Sequence, residues 1–188
     1  MILGRLRHAA RGWGTTPDER AAPLPCDAVL PGAPAVDRAV DVDAPPAATF
    51  RWLCQLRAAP YSYDWIDNRG RRSPRELTPG LEHLEVGQRF MTIFRLVSFE
   101  PDEQITLRSR HVAVTYRVAP GRLHMRIRSR VWLPLLALPD LVMARRQLLT
   151  LAELAERDVS ELARRAPSAS AAGRPPPGSR APSARGRA

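Results

Sequence analysis

The most regular pattern in this sequence is the alternation of apolar and charged residues over positions 122–133. Leu123, Met125, Ile127 and Val131 fall on one side, and the other side carries Arg122, His124, Arg126, Arg128 and Arg130. A period of two predicts a β-strand with one face on a core and the other in water. Segments with similar alternation or apolar content predict further strands over Val36–Asp43, Arg89–Phe99, Gln104–Arg110 and Val112–Val118.

Two segments have the period of an amphipathic helix. In Ala47–Arg57, apolar residues recur three and four positions apart, which predicts a helix after the proline-containing turn at 43–46. A long helix is predicted from Asp140 to about Arg165, and its apolar stripe consists of Leu141, Ala144, Leu148, Leu151 and Ala155. Short helices are predicted after the N-cap Thr16 and over 61–68, whereas residues 26–34 have the composition of a loop.

These elements predict an α+β fold and three segments. Residues 1–33 form an N-terminal arm, residues 34–165 form the domain, and residues 166–188 form a basic tail of Pro, Ser, Ala, Gly and Arg too poor in apolar residues to fold. A sheet with one apolar face needs a cover, which the long helix can provide. Because the helical segment after the first strand would bridge the ends of the sheet, we expect a cavity between the sheet and the long helix.

Five segments resemble the SRPBCC superfamily, the helix-grip fold of START domains and polyketide cyclase-like proteins. Residues 40–53 resemble its opening strand and first helix, and 140–149 resemble its closing helix. The motif at 61–65, Tyr-Ser-Tyr-Asp-Trp, and the Val-Gly pair at 86–87 are similar to elements of an actinobacterial-type subgroup, as is the arm segment 11–16. The resemblance implies a curved antiparallel sheet wrapped around the C-terminal helix, with a cavity for a hydrophobic small molecule or lipid.

Eight residues are candidates for lining this cavity. The aromatic motif either lines the mouth, with Asp64 bonding a ligand or acting as a base, or plugs the end of the sheet. Tyr116 lies on the apolar face of its strand, where its hydroxyl needs a ligand or a protein partner. Arg95 faces inward only if Val97 and Phe99 do, and Phe94 and Leu96 compete for that face. The full set is Tyr61, Tyr63, Asp64, Trp65, Arg95, Tyr116, Met125 and Met143.

Composition and charge limit the kinds of partner and site that we expect. The net charge is +10 and every cationic side chain is arginine, which leaves an acidic partner or membrane surface open but does not indicate specific nucleic-acid binding. Two cysteines without metal-ligand spacing predict neither a disulfide framework nor a metal site. We expect no cofactor, no transmembrane segment and a cytoplasmic location. His124 and the arginines of its strand are predicted to be solvated.

Three functions remain after these exclusions. The first is binding of a hydrophobic small molecule or lipid without chemistry. The second is a cyclase- or dehydratase-like enzyme using the same cavity, with Tyr116 or Asp64 handling a proton. The third is an interaction module in which the arginine face, including Arg122 and Arg126, docks with the tail on an acidic partner or membrane. The few polar residues predicted to face inward favour the first.

Overall fold

A computed structural model describes residues 12–62, 72–131 and 137–165, with the side chains of the last segment described from residue 143 onward. The described residues form seven strands: β1 Gly12–Trp13, β2 Ala35–Asp41, β3 Arg89–Phe90, β4 Phe94–Glu100, β5 Gln104–Arg108, β6 Val112–Ala119 and β7 Arg122–Ser129. Their helices are α1 Pro17–Ala21, α2 Pro25–Val29, α3 Pro46–Cys54, which continues as a 3₁₀ turn over Gln55–Arg57, and α4 Ala137–Arg165.

The strands form one curved sheet in the order β1-β2-β7-β6-β5-β4-β3. The six strands from β2 through β7, β6, β5 and β4 to β3 pair antiparallel, as expected. Strand β1 pairs with β2 in parallel, so the sheet is mixed. The reason is that β1 belongs to the N-terminal arm and is followed by α1 and α2, a crossover that lets the chain return in the same direction. The architecture is α+β and is compatible with the expected arrangement of a sheet against a C-terminal helix.

Helices α3 and α4 cover one side of the sheet, called here the helix-facing side. The predicted stripe of α4 is buried as expected at Ala144, Leu148, Leu151 and Ala155. The indole nitrogen of Trp52 in α3 donates a 3.0 Å hydrogen bond to Asp158 of α4 and joins the two helices. The main core lies between these helices and the sheet because all three elements turn an apolar face inward.

The described part of the N-terminal arm, residues 12–33, covers part of the other side of the sheet, called the arm-facing side. Helix α1 begins as predicted, with a capping box between Thr16 and Glu19. The predicted loop over 26–34 is wrong at its start, because Pro25 begins α2 and the Asp27 carboxylate accepts the Leu24 amide at 2.9 Å. An apolar residue at the N-cap hides this start from sequence rules, which look for Ser, Thr, Asp or Asn there.

Apolar and backbone contacts fix the arm to the sheet. Its own small core contains Leu24, Cys26 and Leu30, all buried, which pack with Ala113 of β6. The backbone of Gly14 passes so close to β2 that an added Cβ would lie 2.1 Å from the carbonyl oxygen of Ala39. The arm therefore forms a third layer on the sheet.

A β-bulge in β4 decides which residues of that strand face the helices. The pairing with β5 shifts between Leu96 and Ser98, so Val97 is the extra residue. The shift places Phe94, Leu96 and Phe99 together on the helix-facing side, a set that strict alternation does not allow. Arg95 consequently lies on the opposite side and is exposed, so its predicted place in the cavity under α4 is wrong.

Candidate functional site

A chain of hydrogen bonds between buried groups crosses the helix-facing interior. The hydroxyl of Tyr116 on β6 donates to the Gln147 side-chain oxygen on α4 at 2.6 Å. The amide nitrogen of Gln147 donates in turn to the Pro60 carbonyl at 2.6 Å and lies 3.3 Å from the Met91 sulfur. Tyr116 and Gln147 are both buried. One glutamine therefore joins the sheet, the long helix and two loops, and it gives Tyr116 a protein partner.

Strained backbone flanks this glutamine. Tyr61 follows Pro60 and has φ 54°, and Met91 has φ 44°. Left-handed backbone is uncommon for residues with a side chain and persists only where the surroundings hold it. Tyr61 is buried with its ring edge-on to Trp52, the centroids 5.9 Å apart. Both segments that contact Gln147 thus contain a conformation that tertiary packing imposes.

Thr150 lies one turn of α4 beyond Gln147. The side chain is buried, and its hydroxyl oxygen makes no hydrogen bond to any group in the described parts of the chain. A buried hydroxyl without a partner costs about 1–3 kcal/mol relative to a satisfied one. Such a group in an apolar interior is a position where a bound molecule could supply the missing hydrogen bond.

The structure brings together only some of the predicted cavity residues. Met125 on β7 lies opposite Tyr116 and is buried, and Met143 on α4 is half-buried. Tyr61 packs at the Gln147 end of the interior, beside Trp52. Tyr63, Asp64 and Trp65, named among the candidates, lie outside the described residues.

Sequence analysis missed three polar residues of this interior. Gln147 and Thr150 are spaced three apart in α4 on one flank of its apolar stripe, a spacing that places them together but does not indicate their partners. Arg38 of β2 is buried on the helix-facing side, opposite Met125, and its guanidinium donates to the Asp37 carbonyl at 2.7 Å. The sequence signal for Arg38 was its place on the side of β2 where the neighbouring positions, Val36 and Val40, are apolar.

A pocket of about 460 Å³ lies elsewhere, on the arm-facing side at the β3–β5 end of the sheet. It is an open groove, called here the arginine groove, and three of its lining side chains are cationic. The residues that line it are Val86, Gly87, Ile93, Arg95, Leu96, Val97, Arg108, Ser109 and Arg110. The groove thus contains Arg95, the predicted cavity residue that the bulge redirected.

The three arginines of β7 that lie on the arm-facing side and pair with the arm are Arg122, Arg126 and Arg128. Asp37 accepts hydrogen bonds from Arg126 at 2.7 Å and pairs with His124 at 2.9 Å, and all three residues are buried. Asp27 of α2 binds Arg126 at 2.9 Å and also pairs with Arg128. The predicted solvation of His124 and of these arginines is therefore wrong. The physical reason is that the arm supplies carboxylates and carbonyls to a face that looked unpaired in the strand sequence.

Two carboxylates of the arm, Glu19 and Asp27, have lowered pKa values. A hydrogen bond from Arg122 lowers the pKa of Glu19 from 4.5 to about 2 against the opposing effect of burial. Burial alone would raise the pKa of Asp27, but hydrogen bonds from the Leu24 amide and from Arg128 outweigh it and lower the pKa. Arg122 also binds Asp41 at 2.8 Å. We assign this network to stabilising the arm on the sheet, because its cations are already neutralised.

Metal and thiol chemistry find little support in the described residues. No group of three or more His, Cys, Asp or Glu side chains in those residues is arranged to hold a metal ion. Cys26 and Cys54 are separate buried thiols, and burial raises the pKa of Cys54 to about 12. A thiol with so high a pKa is a poor nucleophile. Among the helices described, none is long and apolar enough to cross a membrane.

Comparison with known proteins does not assign this chain to a family. No protein-family model matches the chain, and no curated protein matches it. Among solved structures, a crystal structure of the protein CV1439 from Chromobacterium violaceum, a structural genomics target, covers 65% of this chain and 98% of its own. The two sequences are 16% identical and the TM-score is 0.42. A likeness this distant carries no argument about function.

Proposed function

We propose that this protein has a helix-grip fold of the SRPBCC type and binds a hydrophobic small molecule or lipid between the sheet and α4. The observation that carries the proposal is the set of polar groups on one flank of α4: Gln147, bonded to Tyr116, and Thr150, whose hydroxyl finds no partner among the described residues. Ligand sites are mostly apolar with a few placed polar groups that fix orientation. The surrounding side chains, including Met125 and Phe90, supply the apolar part.

In this proposal the polar groups have different roles. Thr150 donates or accepts one hydrogen bond to a polar atom of the ligand. Gln147 holds the flank of the site in place, because its amide oxygen and nitrogen are both engaged with the protein. The side chains between the sheet and α4 form one cluster of buried apolar residues, so we expect binding to require some of them to move. The strained segments at Tyr61 and Met91 are the elements we expect to relax.

Binding is favoured over catalysis by the chemistry of the same interior. Among the described residues, the buried polar side chains on the helix-facing side include no carboxylate and no imidazole, since Asp37 and His124 lie on the arm-facing side. The Tyr116 proton is engaged with Gln147 at 2.6 Å. Proton transfer in a cyclase or dehydratase reaction needs a base near neutrality. The enzymatic alternative, which would use Tyr116 or Asp64, therefore has no observation in its favour.

Native mass spectrometry of the purified protein, before and after organic extraction, tests the proposal. We expect a mass excess that extraction removes, together with a rise in melting temperature when the extracted compound is returned. A protein that is empty as purified, and whose melting temperature does not respond to a panel of neutral lipids and aromatic polyketides, would contradict a binding role.

The variant Thr150→Val separates a ligand contact from a structural role. Valine has the shape of threonine without the hydroxyl, so the empty protein should become more stable by about 1–3 kcal/mol if the hydroxyl has no partner. The same variant should retain less of the extracted compound. Leu149→Gln, at an exposed position of the same helix, is the matched control and should change neither property. Unchanged retention in Thr150→Val would remove Thr150 from the site.

A further inference from the structure

Three arginines lie side by side across the β3–β5 end of the arm-facing side. Arg89 is directly opposite Arg95, and Arg95 is directly opposite Arg108. Side chains opposite each other on neighbouring strands have Cβ atoms about 4.5–5.5 Å apart. All three side chains are exposed, and Arg110 joins them at the end of β5. The sheet therefore concentrates positive charge at one place on its surface.

No carboxylate compensates this charge in the part of the chain that the structure describes. Within those residues, none of Arg89, Arg95, Arg108 and Arg110 forms a salt bridge. The side chain of Arg95 does have a fixed contact, a 2.9 Å hydrogen bond to the Gly87 carbonyl. Like charges placed directly opposite one another destabilise a sheet. A bound anion between them would turn this repulsion into attraction.

The same place also exposes apolar surface. Val86 and Ile93 are the two most exposed large apolar residues among those described, 67% and 68% exposed, and both line the arginine groove. Val97, the bulged residue, lies with them in the lining. Exposed apolar residues gathered in a concave surface mark binding sites more often than residues scattered singly. The groove thus offers an apolar wall beside a cationic one.

The backbone around the groove is fixed by hydrogen bonds before any ligand arrives. Gly87 donates to the Leu96 carbonyl at 2.8 Å, and Leu96 donates to the Gln88 carbonyl at 2.9 Å. Gly87 has φ 94°, which a residue with a side chain rarely adopts, so this turn depends on glycine. On the far wall Ser109 donates to the Val112 carbonyl at 2.8 Å. A site that is already ordered loses less conformational entropy when a ligand binds.

We propose that the arginine groove binds an amphipathic anion, a molecule with a carboxylate or phosphate head and an apolar body. The head lies between the guanidinium groups of Arg95 and Arg108, whose planar forks match both anions, and the body lies against Ile93 and Val86. The volume of about 460 Å³ falls in the range of small-molecule sites, about 300–1,000 Å³. The site is distinct from the interior beneath α4 and stands whether or not the interior binds anything.

Titration calorimetry with decanoate, decyl phosphate, decanol and inorganic phosphate tests the two parts of this ligand separately. We expect both amphipathic anions to bind, their affinity to fall as salt rises, and decanol and inorganic phosphate to bind at least about tenfold more weakly. The ratio of decanoate to decyl phosphate affinity identifies the preferred head group. Equal binding of decanol and decanoate would overturn the proposal, because the arginines would then contribute nothing.

Three variants locate the binding, and two further variants serve as controls. Arg108→Gln and Arg95→Gln should each weaken decanoate binding about tenfold, and Ile93→Ser should weaken it several-fold. Arg117→Gln is the matched control, an exposed arginine of the same sheet that does not line the groove. If Arg108→Gln and Arg117→Gln bind equally well, the groove is not the site. Gln147→Leu, which alters the interior only, should leave decanoate binding unchanged, so failure of one proposal is distinguishable from failure of the other.

Discussion

The two ends of the arm-facing side use arginine in opposite ways. Under the arm, Arg126 is 3% exposed and binds the carboxylates of Asp37 and Asp27. At the β3–β5 end, Arg95 and Arg108 face each other across two strands, exposed and without a salt bridge among the described residues. Both sets alternate with apolar residues, and both lie on the same side of one sheet. The two sets differ because only the first is covered by the arm, which supplies carboxylates to it.

This difference shows what the periodicity of a strand can predict and what it cannot. Alternation identifies the side of the sheet on which a residue lies, and it did so for Arg126. It does not indicate what covers that side, because the covering acids lie about a hundred residues earlier in the chain, in α1 and α2. A charged face is therefore solvated or buried according to contacts that are distant in sequence.

The largest effect is expected from Asp37→Ala. The substitution removes the carboxylate that Arg126 and His124 share, and it leaves the Nε of the buried Arg126 guanidinium without its acceptor while Asp27 still binds Nη1. Breaking a buried ion pair from one side costs about 3–5 kcal/mol. We expect urea unfolding to show a loss of this size. The double variant Asp37→Ala with Arg126→Met should lose less than the sum of the two single variants, and a simple sum would mean that the two residues act independently.

A smaller loss is expected from Asp27→Asn. This side chain lies in α2, where it accepts the Leu24 amide and binds Arg126 and Arg128. It is partly exposed, so water can replace some of these contacts, and the loss should be about 1–3 kcal/mol. The measurement is again urea unfolding. A loss near zero would show that the apolar contacts of Leu24, Cys26 and Leu30 alone hold α2 on the sheet.

The ion pair of Glu19 predicts a dependence on pH. Because the hydrogen bond from Arg122 lowers its pKa from 4.5 to about 2, Glu19 stabilises the fold fully above pH 4.5 and loses this contribution as the pH falls towards 2. The stability difference between the native protein and Glu19→Gln should shrink over that interval. The exposed Asp18 of the same helix provides the control, Asp18→Asn. A difference that stays constant with pH would contradict the pairing.

Sequence patterns located most of the secondary structure but not the two proposed binding surfaces. The stripe of α4 and the alternation along β6 and β7 follow from local spacing, which is why the long helix was predicted close to its observed bounds and these two strands were predicted at their observed starts. Arg95 was misplaced because a bulge at Val97 depends on the pairing of two strands and leaves no mark in the spacing of one. Gln147 was overlooked because its partners, Tyr116 and Pro60, meet it only in the folded chain.

The smallest expected effect has the opposite sign and separates the two arginine regions most sharply. Arg108→Gln removes one of the like charges that face each other in the arginine groove, so it should stabilise the empty protein by about 0.2–1 kcal/mol, and more at low salt than at high salt. Arg126→Gln, the same change under the arm, should destabilise it. Urea unfolding at two salt concentrations measures both. If Arg108→Gln also destabilises, Arg108 has a structural partner and the groove is not a free cationic site.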